Sequence, residues 1–226
     1  RVNDGFRLPY FDDIRGAQTQ LAAGDDLFFD VEQYELGIKY ASNNVGLYAT
    51  AFRVETQSTR STAPDPGAPV SVFETESQGL ELDATYVMNN GLGLVASATY
   101  LDGEVTADPN PLLVGNQSPR QPEWQVRLAP SYEFSIGDLE TVVFAAYSHV
   151  GDRQSNVENT QPLDAYDKFD LGVEVKTPSG LSFRVFGDNV TDEQGLTEGD
   201  PRSFDINANG RYILPRSVRF SVGYEF

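Results

Sequence analysis

The chain has 226 residues, enough for one large all-β domain or two small ones. It carries 34 acidic against 16 basic side chains, and the resulting net charge of −18 argues against a nucleic-acid partner because nothing offsets repulsion from phosphates. The absence of cysteine from the sequence excludes disulfides, zinc–thiolate sites and cysteine nucleophiles.

Aromatic side chains are frequent for so polar a sequence. They make up 12% of the residues although the mean hydropathy is −0.38. A transmembrane β-barrel explains this combination, because only every second residue of a spanning strand needs to be apolar. No run approaches the ~20 apolar residues of a membrane helix. The sequence shows neither an initiating methionine nor a signal peptide, so we expect a processed chain or a fragment.

The N-terminal region and the region after it differ in pattern. Residues 1–31 have no clear period and are predicted to form a long loop. From Glu32 onward the residues alternate, which predicts a strand with one apolar and one polar face. A tyrosine lies at each end of this apolar face, as two interfacial aromatic girdles require. This face consists of Tyr34, Leu36, Ile38 and Tyr40.

The same unit recurs along the chain, with connections that are alternately short and long. Asparagine, glycine and proline mark the tight turns, for example Asn43–Asn44 and Pro178–Gly180. In the strand that follows Asn44, Tyr48, Phe52 and Val54 share one side. The long loops are predicted at 58–71, 103–121, 151–167 and roughly 194–210.

Alternation also assigns the residues that contact lipid in the later strands. The closing stretch from Val218 is apolar at every second position and ends on an aromatic residue, which a soluble protein would leave exposed at a frayed terminus. Together with the first strand, the predicted membrane-facing residues are Leu80, Leu82, Trp124, Val126, Phe169, Leu171, Val173, Val218, Phe220, Val222, Tyr224 and Phe226.

These patterns predict an all-β fold, an antiparallel up-and-down transmembrane β-barrel with short periplasmic turns and long extracellular loops. Residues 32–226 form the β-meander, with about nine strands of ~10–13 residues. A soluble β-sandwich is the alternative, but it has no reason to place every long loop at one end. Charged residues on one strand face also suit a hydrated lumen better than a protein core.

Six short motifs resemble the C-terminal part of a TonB-dependent outer-membrane receptor. Among them, DNVTDE is similar to the family's signature in the penultimate strand, with Val190 where leucine is usual, and GFRLP is similar to a motif of an external region. The terminal Val222, Tyr224 and Phe226 resemble the signal read by the barrel-assembly machinery. In chain order the motifs are GFRLP (5–9), YELGIKY (34–40), SQGLELDATY (77–86), RQPEW (120–124), DNVTDE (188–193) and LPRSVRFSVGYEF (214–226).

The resemblance implies energised uptake of a scarce nutrient such as a ferric siderophore, cobalamin, haem or an oligosaccharide. It implies location in the outer membrane of a Gram-negative bacterium, with lipid and lipopolysaccharide around the barrel and TonB acting through a plug domain. It implies neither catalysis nor a cofactor.

Two departures from the family pattern predict that the sequence is a C-terminal fragment. No plug or TonB box is recognisable in it, and the family's barrels have 22 strands, so about 13 are missing. The alternative is a small self-contained outer-membrane barrel that acts as a pore, an adhesin or a structural protein.

Ligand contacts are the least specific part of the prediction. The candidates are Arg7, Tyr10, Arg153, Tyr166 and Arg202, whose cationic or aromatic side chains lie in or near the long loops. Pairing of the arginines with loop carboxylates is the competing interpretation. No metal site is predicted, because the acidic loop residues lack the spacing of a calcium loop.

A hydrolase is a further class to consider. His149 is the one imidazole base in the sequence, and no partners for a catalytic triad are marked.

Asn189 and Asp192 are expected to bond local backbone where a strand enters a loop.

Overall fold

The computed structural model describes residues 1–7, 28–61, 70–199 and 210–225. Its main feature is a ten-stranded antiparallel sheet in which neighbours in space are neighbours along the chain. The strands of this sheet are β1 (Val2–Arg7), β2 (Phe29–Ala41), β3 (Val45–Ser61), β4 (Val70–Val87), β5 (Leu92–Ala107), β6 (Trp124–Ile136), β7 (Leu139–Val150), β10 (Tyr166–Lys176), β11 (Leu181–Asp188) and β14 (Ser217–Tyr224).

Short elements occupy the long connections. β8 (Arg153–Gln154) pairs with β9 (Pro162–Leu163), and β12 (Leu196–Gly199) pairs with β13 (Gly210–Tyr212). A 3-10 turn covers Pro111–Leu113. Within the described ranges, no helix has the length and apolar character to cross a membrane. β1 and β14 are the two edges of the main sheet, which does not close on itself in the described part of the chain.

The register of the sheet places alternate residues of all ten strands on a continuous apolar face. One row across it runs from Ile38 to Ala49, Leu82, Ala98 and Val126, each opposite the next. All the predicted membrane-facing residues that the structure describes lie on this face, and Phe226 lies outside the described residues. Several of these side chains are strongly exposed, for example Leu36 at 77% and Phe220 at 77%.

The apolar face carries aromatic residues near both ends. Toward the long connections, Tyr100 contacts Trp124 with 4.9 Å between ring centroids, and Tyr147 contacts Phe169 at 5.0 Å. Tyr34 lies on the same face near that end. The corresponding residues near the tight turns are Tyr40, Tyr86, Tyr132 and Tyr224. The two bands match the expected girdles at the membrane–water boundaries.

In β3 the apolar face is built from small residues. Ala49 and Ala51 lie on it, whereas Tyr48 and Phe52 lie on the opposite face beside Lys39 and Glu35. The ammonium group of Lys39 lies 4.7 Å from the centroid of the Tyr48 ring. The large side chains that share a side in the sequence therefore mark the charged face of this strand.

The charged face is held by ion pairs between neighbouring strands. The Lys168 ammonium lies 2.6 Å from a carboxylate oxygen of Asp188 and 3.2 Å from one of Asp170. Arg184 donates hydrogen bonds from two nitrogens to the Glu174 carboxylate. In both clusters a basic side chain has a carboxylate partner in the neighbouring strand, so these charges are compensated on the polar face.

The boundaries predicted for three loops, 1–31, 58–71 and 103–121, are wrong. Residues 1–31 are not one loop, since β1 and the first residues of β2 pair with each other there. β1 raises the main sheet from the predicted nine strands to ten. Its short sequence VNDGFR has no clear alternation, so it is defined by its partner rather than by its own pattern. Residues 8–27 lie outside the described part of the chain.

The predicted long loops are also too long at their ends. β3 runs to Ser61 and β4 begins at Val70, so the loop predicted at 58–71 is shorter, and β5 continues to Ala107 inside the loop predicted at 103–121. These strand ends extend past the apolar band, and the side chains that continue that face are polar there, as at Glu74 and Glu104. Hydrophobic alternation therefore fails there although pairing continues.

Candidate functional site: a loop assembly at one end of the sheet

Three segments meet at the end of the sheet that carries the long connections. They are the first loop (residues 108–123), the second loop (residues 151–165) and the paired strands β12 and β13 (196–199 and 210–212), which we call the β12–β13 hairpin. Together we call them the loop assembly. The assembly covers a small apolar cluster, in which Val105 is fully buried. The other members of the cluster are Phe73, Leu113 and Val157.

The loop assembly lies on the charged face of the sheet. Thr75, Ser77 and Val105, on that face of β4 and β5, are at most 7% exposed. Their neighbours Glu74 and Glu104, which point to the other side of the same strands, are exposed. In a barrel whose charged face lines the lumen, the loop assembly therefore covers the mouth.

The first and second loops are joined by asparagine side chains. Asn159 donates from Nδ2 to the Gln117 carbonyl at 3.0 Å and accepts from the Gln117 amide at 2.8 Å. Asn116 donates from Nδ2 to the Val157 carbonyl at 2.9 Å. Since each amide side chain replaces a missing backbone partner, the two loops pair much as two strands do.

The second loop is joined in turn to the hairpin. Ser155, only 1% exposed, donates from Oγ to the Gly199 carbonyl at 2.9 Å and accepts from the Gly199 amide at 3.1 Å. Arg153 donates to the Leu196 carbonyl at 2.7 Å. The hairpin is thereby fixed to the second loop at both ends of β12.

Arg120 connects the first loop to both other segments. Its amide donates to the Gln154 carbonyl at 2.6 Å, and its guanidinium lies 2.8 Å from the Glu198 carboxylate. Its φ is +64°, a left-handed conformation that is rare for arginine. Such a conformation persists only where surrounding contacts determine it.

The DNVTDE motif forms the base of the hairpin. Asn189 is fully buried, with φ +50°, and donates from Nδ2 to the carbonyls of Glu193 and Leu214, each at 2.9 Å. Its Oδ1 accepts from the Glu193 amide at 2.8 Å, and Asp192 accepts from the Arg216 amide at 3.0 Å. The expected backbone-bonding role of Asn189 and Asp192 is confirmed, and it ties the end of β11 to the start of β14.

The structure brings together two of the five predicted ligand contacts. The Arg153 guanidinium lies 5.7 Å from the centroid of the Tyr166 ring. Arg153 is 5% exposed, and burial lowers the pKa of its guanidinium while the nearby Tyr166 opposes that shift. Arg7 lies apart from them, at the end of β1, with its guanidinium 4.7 Å from the Phe29 ring centroid. Tyr10 and Arg202 lie outside the described residues.

Several residues that hold the loop assembly together were missed by sequence reasoning. Asn116, Asn159 and Ser155 belong to no motif, and RQPEW, which begins at Arg120, predicts none of its contacts. The partners of Asn159 and Ser155 lie 42 and 44 positions away. The one available signal is that loops rich in asparagine favour side chain to backbone bonds. Among the described residues, no group of three or more histidine, aspartate or glutamate side chains is arranged to hold a metal ion.

The other face of the same strand ends carries a row of acids. Asp4, Glu32, Glu55, Glu76 and Glu104 lie directly opposite one another across β1 to β5. The row lies outside the apolar band, since Glu32 is two positions from Tyr34 on the side of the long connections. Within the row, Glu55 and Glu76 are both paired with the guanidinium of Arg53, at 2.8 and 2.9 Å.

An open antiparallel meander with an apolar outer face, a charged inner face and loops folded over one end is the wall of a membrane β-barrel. The chain belongs to the TonB-dependent receptor-like β-barrel family, whose profile matches residues 1–190. It is accordingly an outer-membrane barrel chain of a Gram-negative bacterium, with the tight turns on the periplasmic side and the loop assembly on the extracellular side.

Individual relatives agree with this family. The ferrichrome receptor FcuA of Yersinia enterocolitica is 27% identical over 204 residues, which cover 86% of this chain and 25% of the relative. The ferrioxamine B receptor of Salmonella typhimurium is 29% identical over 203 residues, which cover 86% of this chain and 28% of the receptor. The chain thus spans about a quarter of the length of these curated relatives.

A solved structure shows the same fold. The ferric yersiniabactin uptake receptor FyuA of Yersinia pestis superposes with a TM-score of 0.78 at 17% identity, covering 100% of this chain and 34% of the receptor.

Proposed function

We propose that this chain forms part of the barrel wall of a receptor that imports a ferric siderophore or a similar metal chelate across the outer membrane. The observation that carries the proposal is the family match over residues 1–190, together with relatives named for ferrichrome and ferrioxamine B. The family is one of transport receptors rather than enzymes.

The two faces of the wall support this proposal. The apolar face contacts lipid and, on its extracellular side, lipopolysaccharide. The charged face lines a hydrated path that a polar ligand can cross. TonB acts on the plug domain that the family carries, so these residues take part by shaping the space around the plug. Val222 and Tyr224 of β14, with Phe226 after them in the sequence, carry the signal for the barrel-assembly machinery.

Among the predicted ligand contacts, Arg7 has the most suitable placement. It lies opposite Phe29, on the charged face and near the extracellular end of β1, where an anionic chelate would arrive. Arg153 and Tyr166 we assign to holding the hairpin, because Arg153 already donates to the Leu196 and Gly151 carbonyls. Tyr10 and Arg202 stay predictions.

Uptake in whole cells tests the function. The full-length receptor is produced in a strain that lacks its own siderophore receptors, and uptake is measured for radiolabelled ferric ferrichrome, ferric ferrioxamine B, cobalamin, haem and an oligosaccharide. We expect uptake of at least one iron chelate that disappears when TonB is deleted. Uptake of cobalamin, haem or sugar alone would replace the ligand class, and the absence of any TonB-dependent uptake would contradict the proposal.

A further inference from the structure

The bonds within the loop assembly form a closed triangle. The first loop is bonded to the second through Asn159 and Gln117, the second to the hairpin through Ser155 and Gly199, and the first to the hairpin through Arg120 and Glu198. A single bridge between two loops lets each of them still move away from a third. A closed set of three bridges does not, because displacement of any one segment breaks two of them.

Backbone conformation agrees with this arrangement. The non-glycine residues with positive φ in the described part of the chain are Arg120, Asn159, Asn189 and Asp192. The first two lie in the loop assembly, and the other two lie at the base of its hairpin. Side chains in this conformation cost free energy that neighbouring contacts must offset. Arg120 and Asn159 each bond to another segment, so their strained backbone conformations persist only while the segments stay together.

The assembly is also fixed to the wall. Ser77 of β4 donates from Oγ to Oε1 of Gln121 at 2.8 Å, and the Ser118 amide donates to the Gly103 carbonyl of β5 at 2.8 Å. Val105 and Phe73 supply the apolar contact beneath. The first and second loops therefore share one foundation on the charged face of β4 and β5, and the hairpin is held to it through its bonds to these two loops.

We propose that the first loop, the second loop and the β12–β13 hairpin form one cooperative body that opens only as a unit and stays assembled while the receptor takes up its ligand. Asn159 and Ser155 are positioning residues of this body. The assembly then acts as a fixed rim of the extracellular mouth, and any closure over a ligand falls to other parts of the receptor. The statement about uptake rests on the proposed function, whereas the statement about cooperativity does not.

Hydrogen exchange of the full-length receptor tests cooperativity without transport. Asn159→Ala removes the two hydrogen bonds that join Asn159 to Gln117 across the first and second loops, but it touches no atom of the hairpin. If the segments open together, the Gly199 amide, which is bonded to Ser155 at the other junction, loses protection by about tenfold or more, the scale of the lost hydrogen bonds. If Gly199 keeps its wild-type protection while Gln117 alone exchanges faster, the loops open independently and the proposal is wrong.

Asn110→Ala is the matched control. Asn110 also loses a side-chain hydrogen bond, since its Oδ1 accepts from the Leu112 amide at 3.2 Å within the first loop. Within the described residues, the Asn110 side chain forms no hydrogen bond with the second loop or the hairpin, so protection at Gly199 should not change. An equal loss of protection at the Gly199 amide in both variants would mean that Asn159→Ala destabilises the loops in general. That outcome would also contradict a coupling that runs through the Asn159 junction.

A reversible cross-link tests whether the body stays assembled during uptake. This part of the receptor contains no cysteine, so a pair introduced as Ser155→Cys and Gly199→Cys gives the one possible disulfide within it. A Cβ built at Gly199 lies 3.3 Å from the Ser155 Cβ, close to the spacing that a disulfide requires. Bond formation is measured by mass spectrometry, and each single-cysteine variant shows the effect of the substitution alone.

We expect uptake of ferric ferrichrome or ferrioxamine B to be the same, within about twofold, in the oxidised and the reduced double variant. Loss of uptake on oxidation with recovery on reduction would show that the hairpin must leave the second loop, and would overturn the proposal. If the wild type and the single-cysteine variants take up neither chelate, the proposed function fails instead, while the hydrogen-exchange result still decides cooperativity.

Discussion

The membrane-spanning part of the wall and the loop assembly above it use different rules to place a side chain. In the wall, position along a strand decides the environment, so that Leu171 and Val173 face outward and Asp170 and Gly172 face inward. In the loop assembly, the environment depends on a distant partner, as for Asn159 and Gln117, 42 positions apart. Both regions are held together by hydrogen bonds, but only in the wall do these bonds follow a pattern that repeats along the chain.

This difference shows where a substitution should be costly. On the wall, a side chain is tolerated mainly if it matches its solvent, because lipid and water adapt to its shape, and neighbours matter only where two side chains meet across strands. In the loop assembly, a side chain is tolerated only if it provides the same donors and acceptors, because buried backbone groups otherwise lose their partners. Comparison of matched substitutions in the two regions tests both statements.

The largest effect is expected for a charge on the apolar face. Val173→Arg should lower the free energy of unfolding by about 2–4 kcal/mol if the site is near the bilayer midplane, and Val222→Arg should act in the same direction. Val95→Arg is the control, because Val95 is also an exposed valine in a spanning strand but lies opposite Thr85 on the charged face. Denaturant unfolding in lipid vesicles measures all three. Equal costs for Val173 and Val95 would contradict the assignment of faces.

A buried amide that joins strand ends should come next. Asn189→Ala removes three side-chain hydrogen bonds and places alanine at φ +50°, so we expect a loss of about 1–3 kcal/mol. Asn189→Gly loses the same hydrogen bonds, but glycine adopts a positive φ without strain. Its loss of stability should therefore be smaller than that of Asn189→Ala by the free energy of the strain alone. Unfolding midpoints of the two variants measure the difference. An alanine variant as stable as wild type would remove the motif's role in fixing the hairpin.

The same contrast explains how far the sequence could predict this molecule. Alternation identified the long strands of the main sheet from β2 onward and grouped the predicted membrane-facing residues on one face, because the period of two is a local property. It missed β1, whose VNDGFR sequence takes its conformation from pairing with β2. It also missed the triangle of loops, since no local pattern states that Ser155 meets Gly199. The DNVTDE motif was the exception, because Asn189 bonds mainly to residues nearby in the chain.

A smaller effect is expected where the charged face is packed. A Cβ added at Gly172 would lie 2.2 Å from the Phe144 ring, which itself stacks on Phe186 with 6.0 Å between centroids. Gly172→Ala should cost about 1–3 kcal/mol, at the lower end because the ring can turn into the open lumen. Adding Phe144→Leu to Gly172→Ala should recover part of that loss. A double variant that is as destabilised as the sum of both singles would show that the ring does not oppose the methyl group.

The smallest effect should come from the acidic row, and it should be a gain. Glu104 lies directly opposite Glu76, and like charges in that arrangement destabilise a strand pair. Glu104→Gln should therefore stabilise the protein by about 0.2–1 kcal/mol at low ionic strength, with the gain shrinking as salt screens the repulsion. Asp102→Asn is the control, because Asp102 has the same strand and face but lies opposite the neutral Gln78. Unfolding midpoints across a salt series measure both. A gain at Glu104 that does not depend on salt would show that it does not come from relief of charge repulsion, and the row would then act on the wall through packing.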